Sequence, residues 1–394
     1  MTSAPQIKLA IFHAFFFQKG GAEKFVFNVR NHFNADLFAG AVNFNLYNKP
    51  SKDYFSTELF NENFRLSYLH RDLNTPILRV IKRYLFFIFS LKIKKLINYD
   101  AIIFSGNIFF VQKRLNKLRA RNTDHTKPLF IAYVHSPPRF LTDQREKVAG
   151  TFPIVIKSLF RLASKYLLHE YKEGMNCMDL ILANSANTQK RMSSYLGLES
   201  EIIYPAVDIN KFKFISNQDY YLSYARLEEM KRVPLILEAF AKMPDKKLII
   251  CSSGPLKNWI IELIEAGNLK NISFEGLVSE DRLVDLVGNC LAGIYIPVDE
   301  DLGMTQIELM AAGKPVIGVK EGGLLETVID GTTGILLPPN PTVGDLMLAV
   351  QTFDRQKAQS MKEACIKQAE KFSAEISFEK INNRLLKLST KKYE

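Results

Sequence analysis

Two carboxylates, Glu300 and Glu308, stand eight positions apart in Val298-Asp299-Glu300-Asp301-Leu302-Gly303-Met304-Thr305-Gln306-Ile307-Glu308. Between them a glycine precedes an apolar-periodic helix, whose first amides have no carbonyl one turn back to bond. The N–H groups of Gly303, Met304 and Thr305 can therefore hold an anion, and Gly303 lets a phosphate come close to the backbone. Glu300, before that anion site, can accept hydrogen bonds from one end of a ligand. Glu308, more than a turn into the helix, can reach the other end. A sugar, a diphosphate and a ribose in line fit such a spacing. The spacing by itself also describes a capped helix with two solvated carboxylates.

Other groups bear on that choice. Arg226 and Lys231 follow a strand-like run at 220–224, and two cations at a strand end suit a diphosphate, which arginine can grip with two parallel hydrogen bonds. Gly20 and Gly21 lie between a strand-like run at 7–12 and a helix expected from about Ala22, an arrangement that can cradle a phosphate. No G-x-G-x-x-G is present, so a dinucleotide fingerprint is not supported. His135 ends the strand-like run 129–134 and is placed for ligand contact. Gly254, in the glycine turn after a run at 248–251, is a further candidate for the ligand-binding set. Asp299-Glu300-Asp301 is acidic, but its glutamate is read as a ligand-binding carboxylate, so no D-x-D-like metal pair is expected at a strand end.

These residues need a scaffold that brings several loops to one edge. The runs at 291–296, 129–134, 180–183 and 248–251 are apolar on both faces, as parallel strands covered on both sides are. Helices are expected at about 305–312, ended by Gly313, at 233–242, from Ser279, and at about 374–388. Asn184 and Ser185 offer caps to another. Such βα units bind ligands at the carboxyl ends of their strands.

Several stretches together are similar to one enzyme family. The Glu300–Glu308 segment resembles the E-G-F-G-x-x-x-x-E motif of retaining GT-B glycosyltransferases of family 4, with Asp301 in place of the first glycine and Leu302 in place of the aromatic. Gly20-Gly21-Ala22-Glu23 resembles the family's G-G-A-E, and His135-Ser136-Pro137-Pro138-Arg139 its H-x-P-x-R, with Arg139 the looser match. Asn184 to Thr188, Tyr204 to Asp208, Arg226 to Lys231, Gly322 to Val328 and Gly331 to Gly334 resemble further landmarks in the same order. The likeness covers nearly the whole chain and includes bacterial surface-polysaccharide mannosyltransferases.

That resemblance implies an α/β GT-B fold, two Rossmann-like domains facing across a cleft, with the C-terminal helix crossing back to the first domain. The domains expected are an acceptor-binding one at 1–209, a nucleotide-sugar-binding one at 210–373, and the last helix at 374–394. It also implies roles: His135 and Glu300 on the donor sugar, Glu308 on the ribose, and Arg226 and Lys231 with the Gly20-Gly21 and Gly303–Thr305 amides on the leaving diphosphate. The donor would be GDP-mannose or a UDP-sugar, with no further cofactor and no metal, and the acceptor a saccharide or a lipid-linked one. Two other classes remain open: another GT-B enzyme, such as a nucleotide-sugar epimerase or a phosphorylase, and a non-catalytic nucleotide-sugar-binding protein at a membrane.

Composition sets the frame. At 394 residues, 47% hydrophobic and 24% charged, the chain reads as an ordinary globular protein large enough for two cores. Residues 1–205 hold 29 Lys and Arg against 15 Asp and Glu, a net of +14, while 206–394 hold 23 against 26, a net of −3. The first half should therefore meet something anionic. Residues 77–97 interleave Arg79, Lys82, Arg83 and Lys94 with large apolar side chains, as a helix lying in an anionic membrane surface does, or as a core helix with snorkelling ends does. A second basic cluster, 113–121, comes with no nucleic-acid-binding motif, so nucleic acid is not an expected partner. No run of 18 apolar residues exists, no signal peptide is expected, and Cys177, Cys251, Cys290 and Cys365 make no disulfide-like pattern. A cytoplasmic protein, peripheral at the inner face of the cell membrane, is the expectation.

Overall fold

The computed structural model describes residues 7–16, 20–42, 93–107, 115–117, 120 and 128–391. The described chain divides into two compact units, one of residues 1–204 with 378–394 and one of 205–377. Each is a parallel six-stranded sheet with helices. The basic stretch expected to meet a membrane at 77–97 lies outside the described residues, except for its end in the short 3₁₀ helix Ile93–Asn98.

The first sheet has the order β2-β1-β3-β4-β5-β6. Its strands are β1 (Leu9–Phe16), β2 (Asp36–Val42), β3 (Ala101–Ser105), β4 (Leu129–Val134), β5 (Leu180–Ala183) and β6 (Glu201–Ile202). β3 and β4 are buried at every position, as strands covered by helices on both faces must be. One side of the sheet packs Ala10, Phe12, Phe38, Ile102, Phe104 and Phe130 into a single core. β1 runs four residues past the expected 7–12, which carries His13 into the sheet.

The second sheet has the order β12-β11-β10-β7-β8-β9. It comprises β7 (Tyr221–Ser223), β8 (Leu248–Cys251), β9 (Ile272–Gly276), β10 (Ala292–Ile294), β11 (Val316–Val319) and β12 (Gly334–Leu337). β7 and β10 are therefore adjacent at the centre, with Ala292 beside Tyr221 and Gly293 beside Leu222. Helices form where expected at Val233–Ala241, Glu280–Asn289 and Thr305–Ala311, the second capped by Ser279. Gly313 ends the third in the left-handed region at φ +68.

Several helices escaped the sequence reading. Among them are Ile154–Asn176, Val343–Thr352 and Arg355–Glu370. The last helix, Ala374–Lys391, crosses from the second unit into the first. Within the first unit Phe378 stacks on His32 with ring centroids 4.0 Å apart, Arg384 pairs with Glu201, and Ile381 and Leu385 are buried.

Candidate functional site

In the second unit the residue after each of the two central strands is a tyrosine. Tyr224 follows β7 and Tyr295 follows β10. The Tyr224 hydroxyl stands 3.1 Å from Glu308 Oε2 and 3.0 Å from the carbonyl oxygen of Thr305. The Tyr295 hydroxyl bonds Glu300, and the Lys231 ammonium bonds the same carboxylate while lying 3.3 Å from the Tyr295 oxygen. Burial pushes both phenols well above their ordinary pKa, and the charges of Glu308 and Glu300 push further in the same direction. Both tyrosines are thus neutral donors at physiological pH. Each of the two carboxylates singled out by spacing is gripped by its own tyrosine.

The loop that carries Glu300 is fixed from below. Arg232 donates to the carbonyls of Ile296 and Pro297 at 3.0 and 2.9 Å and pairs with Glu321 at 2.7 Å. Glu321 in turn accepts from the amides of Asp299 at 3.0 Å and Asn340 at 2.8 Å. Burial alone would raise the Glu321 pKa, but these amides and the Arg232 guanidinium hold it below the ordinary carboxylate value. The Gly322 and Gly323 backbones then press on the loop. A Cβ on Gly322 would lie 2.2 Å from the Glu300 carbonyl oxygen, and the Gly323 amide donates to that oxygen at 2.8 Å. Gly303 closes the loop at φ +80 with Met304 as the helix cap, and the Gln306 side chain donates to the Leu302 carbonyl at 2.7 Å.

The other expected residues of this unit are placed less closely together. Lys231 stands in the turn Glu229–Lys231, held near Glu300. Arg226 is half exposed, 3.6 Å from Glu228. Gly254 allows its loop to lie on Leu227, since an added Cβ would meet the Leu227 carbonyl oxygen at 2.4 Å. It supports the strand-end segment that bears Arg226 rather than reaching Glu300.

In the first unit Gly20 caps the helix Gly21–Phe33. Its amide donates to the Glu23 carboxylate at 3.0 Å, so the glutamate of Gly20-Gly21-Ala22-Glu23 closes a capping box. That engagement occupies the Gly20 amide, and Gly21 opens the helix. Arg139 forms a two-pronged pair with Asp143, at 2.9 and 2.6 Å, a local structural role. His135 is part of something the sequence reading missed. Ser105 Oγ lies 2.8 Å from His135 Nε2 and 2.9 Å from His13 Nδ1. The three come from neighbouring strands, with His13 opposite Ser105 and Ser105 opposite Tyr133 in register. Phe25 stacks on Tyr133 at 3.9 Å, and both rings meet His135 edge-on. Burial, with His13 adding to it, lowers the His135 pKa to about 3, so its ring is neutral at physiological pH. One serine hydroxyl carries one proton, so it donates to one imidazole while accepting N–H from the other.

Residues 207–372 match the family described as glycosyl transferases group 1. They are a glycosyltransferase group 1 domain. The chain is 30% identical over 284 residues to the alpha-1,3/1,6-mannosyltransferase ALG2 of Dictyostelium discoideum, covering 60% of this chain and 66% of that one. It is 25% identical over 292 residues to the human enzyme of the same name, covering 65% of this chain and 67% of that one. The chain thus spans about two thirds of the length of these relatives. Among solved structures, Anabaena HepE in complex with UDP and glucose superposes with a TM-score of 0.68 at 18% identity, over 97% of this chain and 100% of that chain. The two six-stranded α/β units match those of GT-B glycosyltransferase structures. In the group 1 domain, the paired glutamates and Lys231 lie at the carboxyl ends of β7 and β10, where such sheets place ligands.

Two measurements test this geometry. Because the Glu321 carboxyl is held below its ordinary pKa, its contribution is present above the unfolded pKa and is lost as pH falls through the folded one. Glu321→Gln should destabilise the fold by about 2–3 kcal/mol at pH 7 and flatten the acid limb of a stability-against-pH curve. A variant with the wild-type acid limb would show that Glu321 does not govern it. In ¹⁵N histidine spectra at pH 6, His135 should be neutral in a single tautomer. Ser105→Ala should keep it neutral but let the tautomers mix; unchanged tautomer populations would remove Ser105 from that role.

Proposed function

We propose that this chain is a retaining hexosyltransferase of cell-surface polysaccharide or glycolipid synthesis. It takes a hexose, with mannose favoured, from GDP-mannose or a UDP-sugar and passes it to a lipid-linked or saccharide acceptor. The observation that carries this is the pair of carboxylates, Glu300 and Glu308, each fixed by a tyrosine on either side of the Gly303–Thr305 turn. The group 1 domain and the mannosyltransferase relatives support the reaction class and the sugar.

In this reaction the bond from the anomeric carbon to the diphosphate oxygen breaks. A bond from the acceptor oxygen forms on the same face, and the acceptor proton passes to the leaving phosphate oxygen. Positive charge grows at the anomeric carbon and negative charge on the diphosphate. Glu300 is assigned the donor sugar, as is His135, whose neutral ring can hydrogen-bond a hydroxyl without adding charge. Glu308 is assigned the ribose, whose hydroxyls can donate to its held carboxylate. Arg226, Lys231, the Gly21 amide and the amides of Gly303, Met304 and Thr305 are assigned the diphosphate. Lys231 and Glu300 hold one another, and a bound donor would give Lys231 a phosphate and Glu300 the sugar. The charge work is then done by side chains and amides, with no metal required. The protein is placed in the cytoplasm, at the inner face of the cell membrane.

Glu308→Ala should weaken donor binding by about 1–3 kcal/mol, the range for losing hydrogen bonds to a charged group. Calorimetry with the nucleotide-sugar reads this directly, and an unchanged affinity would end the ribose assignment. Arg226→Ala and Lys231→Ala should each lower turnover by about a hundredfold, as removal of a donor to developing charge does, with little change in melting temperature. Turnover should persist in excess chelator; its abolition would point to a metal-dependent reaction.

A further inference from the structure

The helix Ile154–Asn176 is buried on one side only. Tyr171 and Met175 join Leu141, Met192, Leu196 and Leu198 in the core of the first unit, with Leu167 and Leu168 packed against them. Its first turns behave differently. Ile154 is 81% exposed, Val155 78%, Leu159 66%, Leu162 69% and Tyr166 58%. At about 100° per residue, Val155, Leu159, Leu162 and Tyr166 fall in one narrow sector. A contiguous exposed apolar strip of this kind marks a surface that meets something apolar.

The charges beside the strip say what. Lys165 lies beside the strip and Arg161 one step further round the same side of the helix, both exposed, and from Lys147 to His169 there is no acidic residue. Arg145, Arg161 and Lys165 line a cavity of about 350 Å³ whose other walls are Glu146 and Leu162. Glu146 is paired with Arg161 and Arg145, so three cations face one carboxylate. Leu162 belongs to both the cavity and the strip. A phosphate seated among the cations would therefore have apolar surface directly beside it, as a lipid headgroup does. A soluble acidic protein would satisfy the cations but leave Val155 and Leu159 wet. A second copy of the chain, paired by a two-fold axis, would bring two cationic flanks together. Among the described residues no helix is long and apolar enough to cross a membrane, and this one carries three cations in its first turns. It suits lying on a bilayer.

We propose that the first four turns of the helix Ile154–Asn176 are a membrane-docking face. The apolar strip enters the headgroup boundary of an anionic bilayer, and Arg145, Arg161 and Lys165 hold lipid phosphate. Nothing in this depends on the reaction assigned above, since it concerns binding without donor or acceptor.

The test is co-sedimentation of the full chain with vesicles of phosphatidylcholine alone and of phosphatidylcholine mixed equally with phosphatidylglycerol. Wild type should bind the anionic vesicles and be released by salt. Leu159→Glu with Leu162→Glu, both on exposed positions, should weaken partition on the order of a hundredfold with unchanged melting temperature and unchanged turnover of a soluble saccharide acceptor. Arg161→Ala with Lys165→Ala should weaken it about fivefold per charge and reduce the preference for anionic lipid. Wild-type binding by the double glutamate variant would overturn the docking face, as would indifference of the wild type to lipid charge. Release on neutralising Arg79, Lys82, Arg83 and Lys94, with no effect of the glutamates, would move the contact to 77–97. A wild-type dimer that the glutamates turn into a monomer, without vesicle binding in either, would make the strip a contact between copies.

Discussion

One carboxylate, Glu321, sets the geometry around Glu300 and Lys231 without touching either of them. It lies at the end of β11, yet it holds the start of the Glu300 loop through the Asp299 amide and the cation-bearing segment through Arg232. Asp299 and Arg232 both adopt positive φ, +46 and +50, a conformation that costs free energy for side-chain-bearing residues. The shared carboxylate offsets that strain, and the two glycines after it let the loop settle against their backbones. Without Glu321 the start of the Glu300 loop would lose its anchor at the Asp299 amide, and the Glu300 carboxylate would be held by Tyr295 and Lys231 alone.

A similar economy operates in the first unit. There a serine hydroxyl between two imidazoles makes the state of one ring depend on the other. Phe25 and Tyr133 pack against His135, and burial, with His13 adding to it, keeps that ring neutral. Both units thus use hydroxyl groups, phenolic in one and alcoholic in the other, to fix a carboxylate or an imidazole at the end of a strand.

What the sequence made legible was the set of signals that are local. Glu300 and Glu308 with an intervening glycine, Ser185 and Ser279 as helix caps, and the apolar runs of β4, β5 and β8 all lie within a few residues of their effect. Tyr295 lies only a few residues from Glu300 but was hidden inside an apolar strand-like run. Tyr224 was not legible, because it matters through a carboxylate 84 positions along the chain, Glu308. His13 and Ser105, 92 positions apart, were hidden for the same reason. Their only signal was that two polar residues sat in or at the end of strand-like apolar runs. The helix Ile154–Asn176 was passed over because it is apolar on both its buried and its exposed side, so no single-face period stands out. Gly20 was misread in part: glycine beside a helix start signals an available amide, and only the neighbouring Glu23 reveals that the amide is already engaged.

The last helix has a consequence for how the chain comes to be folded. Residues near the start, His32 and Phe33, pack against Phe378, and Glu201 pairs with Arg384. During synthesis the first unit emerges long before these partners exist. It must wait, with that aromatic surface uncovered, while more than 170 further residues from Pro205 onward are made and folded. The nascent first unit is therefore an unfinished body on the ribosome. Its packing is completed only after the whole second unit has been translated.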